Sequence, residues 1–182
     1  MKKKSIFITG GAGYCGSRLV PTLLNKGYKV TVYDIMYFSD SFLPKENKDL
    51  TIIEGDLRDE NKLKKSCKNH DVFVHLACIS NDASFVLDEK LSTSINLESF
   101  EPMVRASKES GNKRFIYASS SSVYGIKSEQ NVHEDMDLEP LTDYSKFKAQ
   151  CEEILNKYSD KTFDTVTIRP ATVCGYSPRM RL

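Results

Sequence analysis

The 182-residue chain contains no tryptophan, and its apolar runs extend for only a few residues. A bilayer-spanning helix needs about 20 consecutive apolar residues, so no membrane span is expected. The start, Met1-Lys2-Lys3-Lys4, is basic. A short apolar stretch and a glycine turn follow it, not the apolar core and cleavage site of a secretory signal. Neither sign of charge is in excess. The 26 Lys+Arg and 25 Asp+Glu leave a formal +1, and neither half of the chain is a charged tail. This argues against an electrostatic nucleic-acid binder. Five cysteines (Cys15, Cys67, Cys78, Cys151, Cys174) are odd in number, scattered and without a CxxC pair. His70, His75 and His133 have no ligand spacing. Free thiols in a reducing cytoplasm are expected, and no metal. The hydrophobic share of 40% and charged share of 28% suit one soluble globular domain with a real core.

Strand-like and helix-like segments alternate along the chain. Residues 5–9, 29–34, 50–54, 72–77, 114–119 and 165–169 read as strands. Helical spacing runs over 14–26, 59–67, 93–110 and 143–158. Gly27 and Gly111 serve as stops, Asp59 as a cap, and Pro21 as a possible kink. The alternation calls for right-handed crossovers, and so for an α/β fold: a Rossmann-type, doubly wound parallel sheet with helices on both faces. Long irregular stretches fall at 35–49 and 120–142. The acidic run Glu134–Glu139 reads as a solvated loop, and Cys78 and Cys151 as small buried apolar groups.

The strongest local feature is Thr9-Gly10-Gly11-Ala12-Gly13-Tyr14-Cys15-Gly16, between the first strand and the first helix. Gly10 allows a tight turn, Gly13 lets backbone approach a pyrophosphate, and Gly16 permits close helix–strand packing. The helix N-terminus offers N–H groups and a positive dipole to phosphates. An acid, Asp34, ends the second strand 24 residues after Gly10, where it can accept from both adenosine ribose hydroxyls. The same charge repels a 2′-phosphate, and Ile35 and Met36 supply no cation, so NAD is favoured over NADP.

Tyr144 and Lys148 stand at i and i+4 of the helix expected over 143–158. A tyrosine near its ordinary pKa of ~10 is a poor base, and a neighbouring cation favours the phenolate. A serine cluster, Ser119 to Ser122, ends the fifth strand, at the sheet edge where ligands lie in open α/β folds.

Together these pieces resemble the extended branch of the short-chain dehydrogenase/reductase superfamily, the NAD-dependent epimerase/dehydratase (UDP-glucose 4-epimerase-like) family. The matching stretches are TGGAGYCG, Asp34, Asp56-Leu57, His75-Leu76-Ala77, SSSSVYG, YSKFK and Arg169-Pro170. The resemblance implies cofactor contacts at Gly10, Gly13, Tyr14, Cys15, Asp34, Asp56, Leu57, Leu76, Ala77, Asn96, Ser119, Tyr144, Lys148 and Pro170. It implies a catalytic set of Ser120, Tyr144 and Lys148, with Ser120 lying 24 residues before Tyr144.

Some positions depart from the family's pattern. Cys15 stands for an aliphatic residue, Cys174 for an aromatic one, and Thr172 for an asparagine that faces the sugar nucleotide in many members. Ser121 and Ser122 occupy the positions of the dehydratases' acidic pair, which ranks dehydratase below epimerase.

The resemblance implies an NAD-dependent sugar-nucleotide epimerase working through a keto sugar. The alternatives are a reductase or dehydrogenase of a keto sugar or other carbonyl, and a non-catalytic NAD-binding module. Extended members continue into a smaller substrate domain, so residues 1–182 are expected to be the NAD(P)-binding domain and an N-terminal fragment of a longer chain. A nucleotide sugar is the expected partner of the full-length protein. A homodimer through helices near 97–110 and 143–158 is also possible, since the face Phe147, Cys151, Ile154, Leu155 and Tyr158 suits either an interface or plain core.

Overall fold

A computed structural model describes residues 3–180; Met1, Lys2, Arg181 and Leu182 lie outside the described residues. Six strands are built from β-branched and aromatic residues: β1 (Ser5–Thr9), β2 (Lys29–Asp34), β3 (Leu50–Glu54), β4 (Val72–His75), β5 (Arg114–Ala118) and β6 (Asp164–Ile168). All pair in parallel, in the order β3-β2-β1-β4-β5-β6. This is the doubly wound arrangement expected from the sequence. The order reverses between β1 and β4, the switch point where open α/β sheets take ligands.

Alternation along each strand splits the core in two. Phe7, Tyr33, Phe73, Phe115 and Tyr117 point to one face, and Ile6, Ile8, Val30, Val32 and Val74 to the other. The first face is covered by Leu63 of α2 (Glu60–Ser66), Phe100, Met103 and Val104 of α5 (Phe100–Glu109), and Cys151 and Leu155 of α6 (Asp143–Tyr158). Val20 and Leu24 of α1 (Gly16–Asn25) cover the second. Register places Phe7, Phe73 and Phe115 side by side, with ring centroids 5.0 and 4.8 Å apart. One rung further along, His75 stacks on Tyr117 at 5.7 Å.

Helix ends follow local chemistry. Asp59 caps α2 by accepting from the Lys62 N–H, and Gly27 and Gly111 leave α1 and α5 with positive φ. Pro21 sits inside α1 without ending it.

Several expected boundaries shift by one or two residues, and one expected helix divides. The helix expected from residue 14 starts at Gly16, and β4 stops at His75 instead of Ala77. The last strand spans 164–168, one residue earlier than its pattern suggests. The single helix expected over 93–110 is α4 (Glu89–Thr93), a π-helical turn (Ser94–Glu98) and α5, preceded by a short α3 (Asp82–Phe85). An i→i+5 widening disturbs apolar spacing by one residue, too little for periodicity to register.

Along α6, Cys151 and Leu155 are fully buried against the sheet, and Ile154 and Tyr158 pack on the same core. Phe147 turns instead to Phe85 of α3, with centroids 5.2 Å apart. Cys151, Ile154, Leu155 and Tyr158 of that face are therefore part of this chain's core. Cys78 is half-buried, not buried as expected. No helix among the described residues is long and apolar enough to cross a membrane.

Candidate active site

The carboxyl ends of β1, β2, β4 and β5 bring the singled-out residues to one edge of the sheet. Gly10 turns with φ +75°, and its N–H donates to the Tyr33 carbonyl at 3.0 Å. A Cβ there would sit 2.5 Å from the Ala77 nitrogen, so β1 and the end of β4 meet backbone to backbone. Gly16 is equally closed, since a Cβ would lie 2.4 Å from the Gly11 oxygen. Gly13 differs: a Cβ would meet only the Gly10 oxygen, at 3.2 Å. The N–H groups of Tyr14, Cys15 and Gly16 have no backbone acceptor among the described residues. An open side, three free donors and the positive end of α1 fit an anionic pyrophosphate.

Asp34 accepts from the Ala12 N–H and the Met36 N–H, both at 3.0 Å, one on each carboxylate oxygen. It thus ties the glycine turn to the end of β2, and each oxygen keeps a lone pair for a ribose hydroxyl. Asp56 is held by Arg58 through Nε and one terminal nitrogen, and that guanidinium lowers its carboxyl pKa. The Leu57 side chain is buried in the core, leaving its backbone at the edge. Leu76 continues the ladder by donating to the Thr9 carbonyl, and Ala77 packs on the first core. Tyr14 donates its hydroxyl to the Gly175 carbonyl. Cys15 is exposed, and its thiol pKa is raised by partial burial and then by Cys78.

Asn96 lies in the π-helical turn. Its side-chain amide pairs with both backbone groups of Ile79, at 2.8 and 2.9 Å. It clamps the loop after β4, a peptide-like use of the amide that its expected cofactor role did not foresee.

The catalytic candidates come from β5 and α6. A capping box formed by Thr142 and Ser145 starts α6 immediately before Tyr144. Lys148, 6% exposed, donates to the Ala118 carbonyl at 2.7 Å. Its ammonium lies 4.9 Å from the Tyr117 ring centroid and 5.7 Å from that of Tyr144. Ser120 follows two residues after Ala118 and opens the 3₁₀ turn Ser121–Tyr124, accepting from the Ser122 N–H and hydroxyl. Ser119 is buried, and its hydroxyl donates to Glu152. The Pro170 carbonyl accepts from the Ser121 N–H at 2.9 Å.

Beneath Lys148, burial and then the Lys148 charge push the His75 pKa down to about 3. Its ring is therefore neutral, and it shares a 2.7 Å hydrogen bond with the Thr9 hydroxyl. Burial likewise pushes the Cys151 thiol up to about 12. Among the described residues, no three His, Cys, Asp or Glu side chains gather as a metal site.

Sequence reasoning missed Glu152, which is almost wholly buried and paired with Arg169. One signal was available: Glu152 stands four and eight residues beyond Lys148 and Tyr144, on the same helix face.

Known proteins match this arrangement. A profile described as the NAD dependent epimerase/dehydratase family matches residues 6–181. UDP-glucose 4-epimerase of Bacillus subtilis is 28% identical over 98% of this chain and 55% of its own length. A 3 beta-hydroxysteroid dehydrogenase/Delta 5-->4-isomerase of Mycobacterium tuberculosis is 30% identical over 93% of this chain and 47% of its own. Among solved structures, UDP-N-acetylglucosamine 4-epimerase from Methanobrevibacter ruminantium, in complex with UDP-N-acetylmuramic acid, superposes with a TM-score of 0.84. It is 31% identical, and the match covers 93% of this chain and 55% of that one. The chain spans about half the length of the relatives it matches. It belongs to the NAD dependent epimerase/dehydratase family.

Proposed function

We propose that the protein binds NAD and epimerises a nucleotide sugar through a keto-sugar intermediate. One observation carries this reading. The buried Lys148 ammonium, fixed by the Ala118 carbonyl, lies 5.7 Å from the Tyr144 ring centroid at the ligand edge of the sheet. A cation at that range stabilises a phenolate, which is what a tyrosine base requires.

The glycine turn would hold the pyrophosphate, Asp34 the adenosine ribose, Asp56 and Leu57 the adenine, and Lys148 the nicotinamide ribose. Bound there, NAD supplies a reversible hydride acceptor. Tyr144 takes the proton from the hydroxyl on the carbon that loses hydride and later returns it. Ser120 donates to that oxygen and keeps it in place as it becomes a carbonyl. The Asp34 charge disfavours a cofactor carrying a 2′-phosphate.

One observation supports epimerisation over loss of water: Ser121 and Ser122 carry no carboxyl group to act as acid and base across C5–C6. The Mycobacterium tuberculosis relative favours a second reading, net oxidation or reduction of a carbonyl.

The test uses the intact protein, NAD and paired epimeric nucleotide sugars. Tyr144→Phe is expected to slow interconversion by about 10²–10⁴-fold, the range of general acid–base catalysis. Interconversion at the wild-type rate in that variant overturns the assignment. Steady accumulation of NADH during turnover favours the second reading.

A further inference from the structure

We propose that Glu152 is a positioning residue that sets the place of Ser120 relative to Tyr144 and Lys148. This inference rests on the function proposed above.

Glu152 projects from α6 in line with Tyr144 and Lys148, and its side chain is 4% exposed. Both carboxylate oxygens take part in bonding. Arg169, at the end of β6, donates to them through Nε at 3.2 and 3.0 Å and through a terminal nitrogen at 2.7 Å. The Ser119 hydroxyl donates to Oε1. The remaining arm of Arg169 donates to the Tyr124 hydroxyl at 2.9 Å and to the Glu134 carbonyl at 3.1 Å. One buried carboxylate therefore joins α6 to the ends of β5 and β6, and through Arg169 to the 3₁₀ turn.

Ser120 lies between two fastened points. Ser119 is fixed by Glu152 and by its own N–H to the Ile168 carbonyl at 2.8 Å. Tyr124 is fixed by Arg169, and the Ser121 N–H is fixed by Pro170. On the other side, Lys148 is tied to Ala118. The two links act in series, Lys148 to the strand end and Glu152 to the next residue, so the hydroxyl and the phenol sit on a single braced unit. Bidentate pairing with a guanidinium supplies direction as well as attraction. Taking away the carboxylate charge leaves a part-buried cation without its counter-ion, and the brace loses its reason to stay closed.

The experiment compares Glu152→Gln with wild type in the intact protein, with Glu153→Gln, an exposed neighbour, as control. The expected result is a fall in kcat of about 10²-fold, the cost of misplacing reacting groups by about 1 Å. KM for the nucleotide sugar and calorimetric NAD affinity stay near wild type. Hydrogen exchange quickens at residues 119–124 and stays unchanged across β1 and α1. Unchanged kcat in Glu152→Gln overturns the inference, as does a lower kcat with unaltered exchange at 119–124. If Glu152→Gln does not fold, Ser119→Ala decides, because it removes one hydroxyl and leaves the ion pair. A fall in kcat at constant KM supports the brace, and an unchanged kcat overturns it. Tyr144→Phe runs in parallel. Full activity in that variant removes the proposed reaction while leaving the exchange measurement as the judge of the brace.

Discussion

Around the glycine turn, shape is set by backbone packed on backbone, whereas at the serine and tyrosine end the same sheet edge is held by charged and hydroxylic side chains. At the first end, hypothetical methyl groups on Gly10 and Gly16 collide with main-chain atoms of Ala77 and Gly11. At the second, Lys148 reaches the Ala118 carbonyl, and Glu152 joins Arg169 and Ser119. A cradle for a fixed ligand gains from rigid main chain, which has no rotamers to lose. A proton-transfer site needs groups whose charge can be tuned, and only side chains supply these. The two ends should therefore fail differently when mutated.

The largest effect is expected at the backbone end. Gly10→Ala places a methyl 2.5 Å from the Ala77 nitrogen at a φ of +75°. The combined overpacking and backbone strain should cost about 3 kcal/mol or more in urea unfolding. Gly13→Ala is the paired control. Its methyl would meet only the Gly10 oxygen at 3.2 Å, so stability should change by about 1 kcal/mol or less while NAD binding weakens. Equal stability losses at the two positions would erase the distinction between a closed seam and an open approach.

A smaller effect concerns His75, which lies under the junction of the two ends. Folding holds its pKa near 3, against about 6.5 for an ordinary histidine. The unfolded chain therefore binds a proton that the folded chain refuses. The stability contribution is complete above about pH 6.5, falls as pH drops, and levels off below about 3. The slope is up to about 1.4 kcal/mol per pH unit, or about 2 kcal/mol by pH 5. Unfolding titrations between pH 7 and 4 should show His75→Gln with a shallower acid decline than wild type. Parallel declines would mean that the imidazole is charged, or reached by water, in the folded protein.

The two ends also differed in how openly the sequence announced them. Glycine spacing and a distant aspartate reflect backbone needs that few residue types satisfy, so the turn and Asp34 were legible. Tyr144 and Lys148 were legible for a similar reason, because a helix converts a spacing of four into proximity. The limits of α6 fell where expected, 143–158. Glu152 was not legible, since a glutamate on a helix is ordinarily a solvated residue. Only the fold brings it to Arg169 and Ser119, from 17 and 33 residues away in sequence. Asn96 was found as a site residue, yet its pairing with Ile79 depends on a π-helical turn that apolar periodicity does not mark. Strand alternation turns the Ser119 hydroxyl toward α6 and Glu152, a partner that no local motif marks. Local geometry was readable, and partners chosen across the sheet were not.

The smallest expected effect tests whether the side-chain end is as locally divisible as that contrast implies. Thr142 accepts from the Ser145 N–H at 3.3 Å, and Ser145 accepts from the Thr142 N–H at 3.0 Å, closing the first turn of α6. Tyr144 lies within that turn, but Lys148 lies one turn later and is held by Ala118. Thr142→Ala should cost about 1 kcal/mol, the usual worth of an N-cap, and Thr142→Ser should restore it. Hydrogen exchange should quicken at residues 143–146 and stay slow from Lys148 onward. The phenol would then sample positions that the ammonium does not follow, so a stability loss this small should lower turnover more than it lowers NAD affinity. If exchange rises equally through residue 152, then the cap, Lys148 and Glu152 form one cooperative unit, and the side-chain end is as indivisible as the glycine seam.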